Sequence, residues 1–406
     1  MSEEARRPDF RWNGKSAEPR SEAHSPRNPI FLWAERFWRQ APLLSLALLI
    51  NAAPLQAEEK KTAVEEAIER RQKVQLMSFF LKDPKDAVLP QTPLAIELYN
   101  EAVGYFQKQE YDLARQVLKD SLAQDNKNFF AYELLGDIDY LQQNLADAKA
   151  NYEIAYNLQP TPELKKKLEK IQTEAPVEKK LATYAEEHFL IKYYNEKEKI
   201  VGFELRELLR TTYRNISQDF GYYFRHQVVV LLYDEEDFKK LTNLPHWVGG
   251  VYDGKVRMPM KRVGFGEDDL KAVTAHEMTH AFVAAMSEGK APAWINEGLA
   301  QYEENKVREI DLLVFRSAVK TNTLLSLDQL LSHRVAVSEE DPLLVSLFYQ
   351  ESFHLARYLA GRYHLFALKQ ILAAFGKGKN SEEALEEVLH ISTDRLEKEW
   401  RATFSN

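Results

Sequence analysis

The stretch AVTAHEMTHAFVAA, residues 272–285, places two histidines inside an otherwise apolar run. His276 and His280 are four positions apart, and Glu277 directly follows the first histidine. In an α-helix, residues four apart lie on the same face, so both imidazoles can present a nitrogen to one point in space. Glu277 projects about 100 degrees away, close enough to reach a water at that point. The spacing therefore predicts a helix that carries a polar site on a buried face.

This pattern is HExxH, a motif with a known use in metal binding. Two histidines hold Zn²⁺, and the intervening glutamate takes a proton from the water on the ion. The alternative interpretation is a buried helix whose two histidines only form hydrogen bonds. The chain has no cysteine, so a third metal ligand would be a histidine or a carboxylate.

Glu297 is the predicted third ligand. It lies in WINEGLAQYEE, with sixteen residues between it and the second histidine, enough to end one helix, turn and return antiparallel. Gly298 and Ala300 beside it are small, which favours close packing of the two helices. Two further acidic residues are rivals, but they lie in a more polar end that is typical of a solvated face: Glu303 and Glu304.

Length, charge and cysteine usage exclude several classes of protein. A chain of 406 residues is too long for one ordinary core, so two or three domains are expected. The net charge of −8, with both signs mixed, provides no broad basic surface for duplex nucleic acid. The absence of cysteine excludes disulfides and a thiol nucleophile. Nucleic acid is therefore not an expected partner.

The first 57 residues form a predicted leader. Residues 41–55 are an apolar run that follows two arginines and precedes small residues ending at Ala57. This arrangement predicts a secretory signal cut after Ala57. The run is shorter than the roughly 18 to 20 residues of a spanning helix, but an uncleaved membrane anchor is the alternative. We expect an exported protein, and the lack of cysteine favours a bacterial periplasm or cell envelope.

A helical segment is expected over residues 58–90 and a repeat domain over residues 91–175. Residues 95–128 and 129–162 align with a period of 34, and the second copy has the tetratricopeptide pattern. A capping helix is predicted at residues 163–172. A generic pair of helical hairpins is the alternative. Two repeats are few for a free-standing solenoid, so we expect this domain to pack against a neighbour and to bind a protein partner.

Residues 173–180 are charged and contain one proline, which predicts a linker between domains. The second domain is expected over residues 181–406. It begins with HFLIKYY and QVVVLLYD, which predict strands on either side of a long helix from about Lys197 to Phe220.

The stretch WVGGVYDGKVRMPM, residues 247–260, predicts a β-hairpin with a two-residue turn at Asp253 and Gly254. After Asp268 the pattern is helical almost to the end of the chain. Strands first and helices afterwards indicate an α+β domain.

HEMTH followed by NEGLA resembles the gluzincin metallopeptidases, which carry HExxH and then a glutamate ligand. WVGGVYDGKVRMP and YQESFHLARYL are similar to the bacterial peptidase MA-like branch, often found beside tetratricopeptide repeats. The resemblance covers roughly residues 185–405 and implies a zincin-like fold. It implies His276, His280 and Glu297 as ligands of one zinc ion and Glu277 as the general base.

The predicted chemistry is hydrolysis of peptide bonds in envelope or secreted proteins. Zinc lowers the pKa of its water and polarises the carbonyl, while Glu277 carries the proton to the leaving nitrogen. The oxyanion needs a further donor, for which Tyr349, His354 and Tyr302 are candidates. Tyr349 is preferred because the resemblance places it in a helix returning to the cleft; its alternative is an ordinary core aromatic. The hairpin of residues 247–260 is expected to border the cleft, where a peptide can pair as an extra strand.

Two other functions compete with this prediction. One is a catalytically silent scaffold in which the tetratricopeptide repeats do the work, and the other is a metal-dependent hydrolase of a non-peptide amide. The presence of Glu277 argues against the scaffold, which has no need of an acid beside two ligands. Three further histidines have no metal-like spacing and are expected to be packing or surface residues: His226, His246 and His364.

Overall fold

The structure is a computed structural model, and it describes residues 92–194, 199–242, 250–259, 267–332 and 342–405. Four parts of the predictions lie outside the described residues: the leader, the helix at residues 58–90, residues 247–249 and 260 of the hairpin, and His246. Within the described ranges, no helix is both long enough and apolar enough to cross a membrane.

Five helices form the N-terminal helical region, here defined as residues 93–178. They are α1 (Pro93–Gln107), α2 (Tyr111–Gln124), α3 (Phe129–Leu141), α4 (Leu145–Leu158) and α5 (Pro162–Glu178). Helix α1 packs against α2, and α3 packs against α4, with α5 beside α4. The two pairs occupy the ranges of the two predicted repeats, and α2 and α4 begin 34 residues apart. The tetratricopeptide assignment itself stays a prediction.

The linker predicted at residues 173–180 is wrong, because α5 continues to Glu178 through Pro176. The capping helix predicted at residues 163–172 is only the first part of α5. Side chains spaced by three residues on one face of α5 are buried, and this packing offsets the backbone hydrogen bond that Pro176 cannot donate. The buried side chains are Ile171, Glu174 and Val177. The helical region therefore continues to the edge of the sheet with only a short turn between them.

A five-stranded mixed sheet follows, in the order β1-β2-β3-β5-β4. Strands β2, β3 and β5 are parallel, while β1 and β4 are antiparallel to their neighbours and form the two edges. The two strands and the long helix predicted here are confirmed, whereas β1 was not predicted. The elements are β1 (Leu181–Ala185), β2 (Phe189–Tyr194), α6 (Lys199–Phe220), β3 (Val228–Tyr233), α7 (Glu235–Thr242), β4 (Val251–Tyr252) and β5 (Val256–Pro259).

The β4–β5 hairpin has three residues in its turn, so the two-residue turn predicted at Asp253 and Gly254 is wrong. A three-residue turn places a glycine where φ is positive, and Gly254 has φ 92°. A Cβ atom on Gly254 would lie 2.5 Å from Cδ2 of Leu141 at the end of α3. The turn therefore lies directly against the helical region.

The chain is helical beyond Asp268, as the sequence predicts. Helix α9 packs between α8 and α12, and together with α6 and the inner face of the sheet they enclose the main core. Helix α12 is broken at His364, where φ is 64°. The helices are α8 (Glu267–Met286), α9 (Ala293–Asn305), α10 (Leu313–Thr321), α11 (Leu327–Leu331), α12 (Pro342–Gly376), α13 (Ser381–Leu389) and α14 (Thr393–Arg401). A mostly helical chain with one small mixed sheet confirms the α+β class.

Candidate metal centre

Helices α8 and α9 bring the three predicted ligands to one place. One ligand atom each from His276, His280 and Glu297 lies within 4.8 Å of the other two. Glu297 Oε2 is 3.7 Å from His276 Nε2 and 3.9 Å from His280 Nε2. The four-residue spacing on α8 supplies one side of the site, and the return of α9 supplies the other.

Both histidines are oriented by a hydrogen bond at the opposite ring nitrogen. His276 Nδ1 lies 2.9 Å from Glu304 Oε2, and His280 Nδ1 lies 3.0 Å from Asn296 Oδ1. Carboxylate and amide oxygens accept hydrogen bonds, so each Nδ1 carries the proton and donates it. In a neutral imidazole the lone pair is then on Nε2, the atom that faces Glu297. This is how metal-binding histidines are commonly fixed.

The predicted third ligand is an acid buried between α8 and α9. Glu297 is fully buried, and neither of its carboxylate oxygens has a hydrogen-bond partner among the described residues. A carboxylate removed from water is strongly destabilising unless a charge or donors meet it. A divalent cation between Glu297 and the two Nε2 atoms would supply that charge. The residues present therefore fit a site with two histidines, one glutamate and an open position.

The charges at this site shift the pKa of each histidine. Burial lowers the pKa of His276, but contacts with Glu297 and Glu304 together outweigh burial and hold that pKa well above 6.5. Burial also lowers the pKa of His280. Here the effect of burial is larger than that of Glu297, so the pKa of His280 stays below 6.5. Without a metal ion, a protonated His276 thus provides the positive charge beside the carboxylates of Glu297 and Glu304.

Glu277 lies beside the histidines with only 8% of its surface exposed. Burial raises the pKa of Glu277 to about 7, and the neighbouring acids Glu297 and Glu304 act in the same direction. The backbone just before β4 lies against this side chain. A Cβ atom on Gly250 would lie 2.7 Å from Glu277 Cγ and 3.2 Å from its Oε1. Glycine is therefore what allows the edge of the sheet to approach Glu277.

The prediction that Glu303 and Glu304 form a solvated face is wrong. They are 3% and 9% exposed. Glu304 follows Glu297 by seven residues, close to two full helical turns, so both lie on the same face of α9. That spacing is the signal which identifies Glu304 as the partner of His276. Glu303 instead pairs with Lys306 at 2.6 Å.

Arg308 holds Glu304 in place from the far side. Its Nη2 donates to Glu304 Oε1 at 2.5 Å, and its Nη1 donates to Asp269 Oδ1 at 2.7 Å. The guanidinium favours the ionised form of Glu304, whose pKa is lowered by His276 and Arg308 against the effect of burial. The orientation of His276 thus depends on a chain of charged contacts between α8 and the end of α9.

Gly298 allows close packing, but its partner differs from the one predicted. A Cβ atom there would lie 2.5 Å from the backbone oxygen of Ser352 in α12. Gly298 therefore allows the close approach of α9 to α12, since the atoms nearest to an added Cβ all belong to α12.

The three candidate oxyanion donors have different surroundings. Tyr349 is buried in the main core on α12, and its role stays a prediction. His354 accepts a hydrogen bond from Trp400 Nε1 at 3.0 Å and stacks on Phe315, so its ring is engaged with the C-terminal helix. Tyr302 is half-buried, with Lys306 Nζ 4.7 Å from its ring centre.

Comparison with known families points to the same half of the chain. Residues 213–406 match the family model described as Peptidase MA superfamily. The matched range contains α8 and α9 with His276, His280 and Glu297. It leaves out the N-terminal helical region. No curated protein and no solved structure matches the chain. The match supports a metallopeptidase-like domain that is metal-dependent in type.

Proposed function

We propose that this chain is a zinc-dependent peptidase of the gluzincin type, with a zincin-like domain that hydrolyses peptide bonds. The observation that carries the proposal is the fully buried Glu297, which has no hydrogen-bond partner among the described residues and faces two imidazole Nε2 atoms. A second observation joins it, because the buried Glu277 lies next to His276 on α8 and against the backbone at Gly250. The family match of residues 213–406 supports the same reaction class.

In this proposal His276, His280 and Glu297 hold zinc, which when bound acidifies a water and polarises the carbonyl of the substrate. Glu277 accepts the proton of the attacking water at a carboxylate oxygen and delivers it to the leaving amide nitrogen. The water oxygen first adds to the carbonyl carbon, and the C–N bond breaks when the tetrahedral adduct collapses with protonation of the nitrogen, so no covalent enzyme intermediate is needed.

The edge of the sheet is the proposed place for the peptide. Strand β4 is an edge strand, and the chain just before it touches Glu277 through Gly250. A peptide that pairs with this edge would present its backbone beside the catalytic glutamate. Tyr349 is proposed as the oxyanion donor.

The remaining proposals come from the sequence. The helical region is proposed to be a tetratricopeptide module that binds a substrate or partner protein. The protein is proposed to be exported to a bacterial envelope, with residues 41–55 as a signal or a membrane tether. Proteins of that compartment are then its substrates.

The test is a comparison of the wild type with Glu277→Gln, using zinc analysis and a peptide library. We expect one zinc per chain in both proteins and a loss of kcat/KM of roughly 10²–10⁴ in the variant. Glu303→Gln is the matched control, since Glu303 is also a buried glutamate whose pKa burial raises to about 7, but it pairs with Lys306. Equal hydrolysis by wild type and Glu277→Gln would contradict the proposal and support the silent scaffold. Hydrolysis of small amides without any peptide would point to the non-peptide hydrolase.

A further inference from the structure

We infer that the N-terminal helical region is a structural part of the candidate active site, because it holds the β4–β5 hairpin against Glu277, with Arg257 as the central positioning residue. The consequence for catalysis rests on the proposed function. The structural consequence, a hairpin fixed by the helices, can be tested without it.

Arg257 joins the sheet to the helical region. It lies on β5 and is 2% exposed. Its Nη2 donates to Tyr140 Oη at 2.7 Å and to Glu174 Oε1 at 3.1 Å, which places one arm of the guanidinium between α3 and α5. Its Nη1 donates to Tyr233 Oη at 2.9 Å, and its Nε donates to Asp253 Oδ1 at 2.9 Å. One side chain therefore fixes two strands, the turn and two helices.

The turn of the hairpin makes further contacts with the same helices. Asp253 Oδ2 lies 2.9 Å from Lys170 Nζ on α5. Lys255 is fully buried, donates to Gln143 Oε1 at 2.6 Å and lies over the ring of Tyr140 at 3.5 Å. Together with the contact between Gly254 and Leu141, each of the three turn residues thus contacts the helical region.

The charges of this contact are balanced. Burial, with Arg257 beside it, lowers the pKa of Lys255 well below its usual value and favours its uncharged form. The neighbouring acids raise the pKa of Arg257 against burial, and Arg257 and Lys170 lower the pKa of Asp253 against burial. Two cations, Arg257 and Lys170, then meet two carboxylates, Asp253 and Glu174. A buried arrangement of this kind tolerates little displacement, because moving the hairpin away would leave charges uncompensated.

The other end of the hairpin reaches the candidate metal centre. Gly250 lies three residues before Asp253 along the chain, and its backbone touches Glu277. A shift of the turn is therefore transmitted over about 10 Å of extended chain to the residue proposed as the general base. The same segment is the edge on which we place the peptide.

The test compares Tyr140→Phe and Arg257→Lys with a matched control, Tyr152→Phe, in the full chain. Tyr140 and Tyr152 are both buried tyrosines of the helical region, and each donates to a carboxylate, Glu174 and Asp137 respectively. Only Tyr140 also contacts Arg257. Amide exchange of the hairpin, residues 250–257, is measured by mass spectrometry together with zinc content, kcat and KM.

We expect exchange in the hairpin to become about tenfold faster in Tyr140→Phe, with a larger effect in Arg257→Lys and none in Tyr152→Phe. We also expect KM for peptides to rise several-fold at unchanged zinc content, with kcat falling less. Unchanged hairpin exchange in Tyr140→Phe, or equal acceleration in Tyr152→Phe, would overturn the inference. If the wild type hydrolyses no peptide, the proposed function fails, while the exchange data still decide whether the helices hold the hairpin.

Discussion

Two buried carboxylates of this chain have opposite surroundings. Glu174, at the contact between the helical region and the sheet, accepts hydrogen bonds from Tyr140 and Arg257. Glu297, between α8 and α9, has no such partner among the described residues and faces two imidazole nitrogens. The protein itself supplies the cation for Glu174. Glu297 instead faces His276, whose proton supplies a positive charge in the absence of metal, and a divalent cation would fit the same position.

A third buried carboxylate shows another solution. Glu351 on α12 is fully buried and accepts a hydrogen bond from the backbone nitrogen of Leu325 at 2.9 Å. Burial raises the pKa of Glu351 to about 8, so at neutral pH it is mostly protonated. A guanidinium at Glu174, a proton at Glu351 and the metal ion proposed at Glu297 are thus three ways of placing a carboxyl group inside this protein, and each predicts a different response to substitution.

The largest expected effect on stability is at Arg257. Arg257→Met leaves Glu174 and Asp253 buried without their main cation, which should lower the free energy of unfolding by about 3–5 kcal/mol. The control is Lys149→Met, because Lys149 forms an exposed pair with Glu153 at 3.2 Å. Removing that pair should change stability by no more than about 0.5 kcal/mol. Urea unfolding monitored by circular dichroism measures both, and similar values for the two variants would contradict the comparison.

The protonated carboxyl predicts a pH dependence. The ordinary pKa of a glutamate is near 4.5, and in the folded protein that of Glu351 is about 8. Between these values the folded state binds more protons than the unfolded state, so the free energy of unfolding falls as pH rises. Glu351→Gln retains an acceptor for Leu325 and removes the titration. Relative to this variant, the wild type should lose on the order of 2–4 kcal/mol between pH 5 and pH 8.

Parallel stability curves for wild type and Glu351→Gln across this pH range would show that Glu351 is ionised in the folded protein. That result would leave two ways of accommodating buried carboxyl groups in this protein instead of three. Denaturant unfolding at four pH values decides between these outcomes. The slope of the free energy of unfolding against denaturant concentration must stay the same at each pH.

A smaller effect is expected from the residue that orients His276. Glu304→Gln weakens the hydrogen bond at His276 Nδ1, and it should lower zinc affinity about 10–100-fold. Glu303→Gln, one residue away on the same helix, is the control and should leave affinity within about twofold. Competition with a chromophoric chelator measures both. Equal affinities in the two variants would mean that Glu304 does not orient a ligand.

The difference between these regions also explains what the sequence can predict. His276, His280 and Glu297 follow from helical spacing and one helix-to-helix return, which are local properties of the chain. Glu304 was missed although its distance of seven residues from Glu297 carries the necessary signal, because the polar end of α9 resembles a solvated surface.

The contact around Arg257 carries no such local signal. Arg257 and Lys255 stand in a strand pattern that equally suits an exposed hairpin, and their partners in the helical region lie more than 80 residues earlier in the chain. The continuation of α5 through Pro176 was missed for the same reason, since burial of Glu174 and Val177 is decided by tertiary contacts that composition does not reveal. The class of fold, the helices after Asp268 and four of the five strands were within reach of pattern alone.

The central claim is that Glu297 completes a metal site, and titration of the metal-free protein with zinc tests it most directly. The wild type should bind one equivalent and gain stability on binding, whereas Glu297→Gln should bind roughly a hundredfold or more weakly. Metal-free Glu297→Gln should be at least as stable as the metal-free wild type, because it removes a buried charge. Equal zinc affinity in both proteins, or no binding to the wild type, would contradict the account.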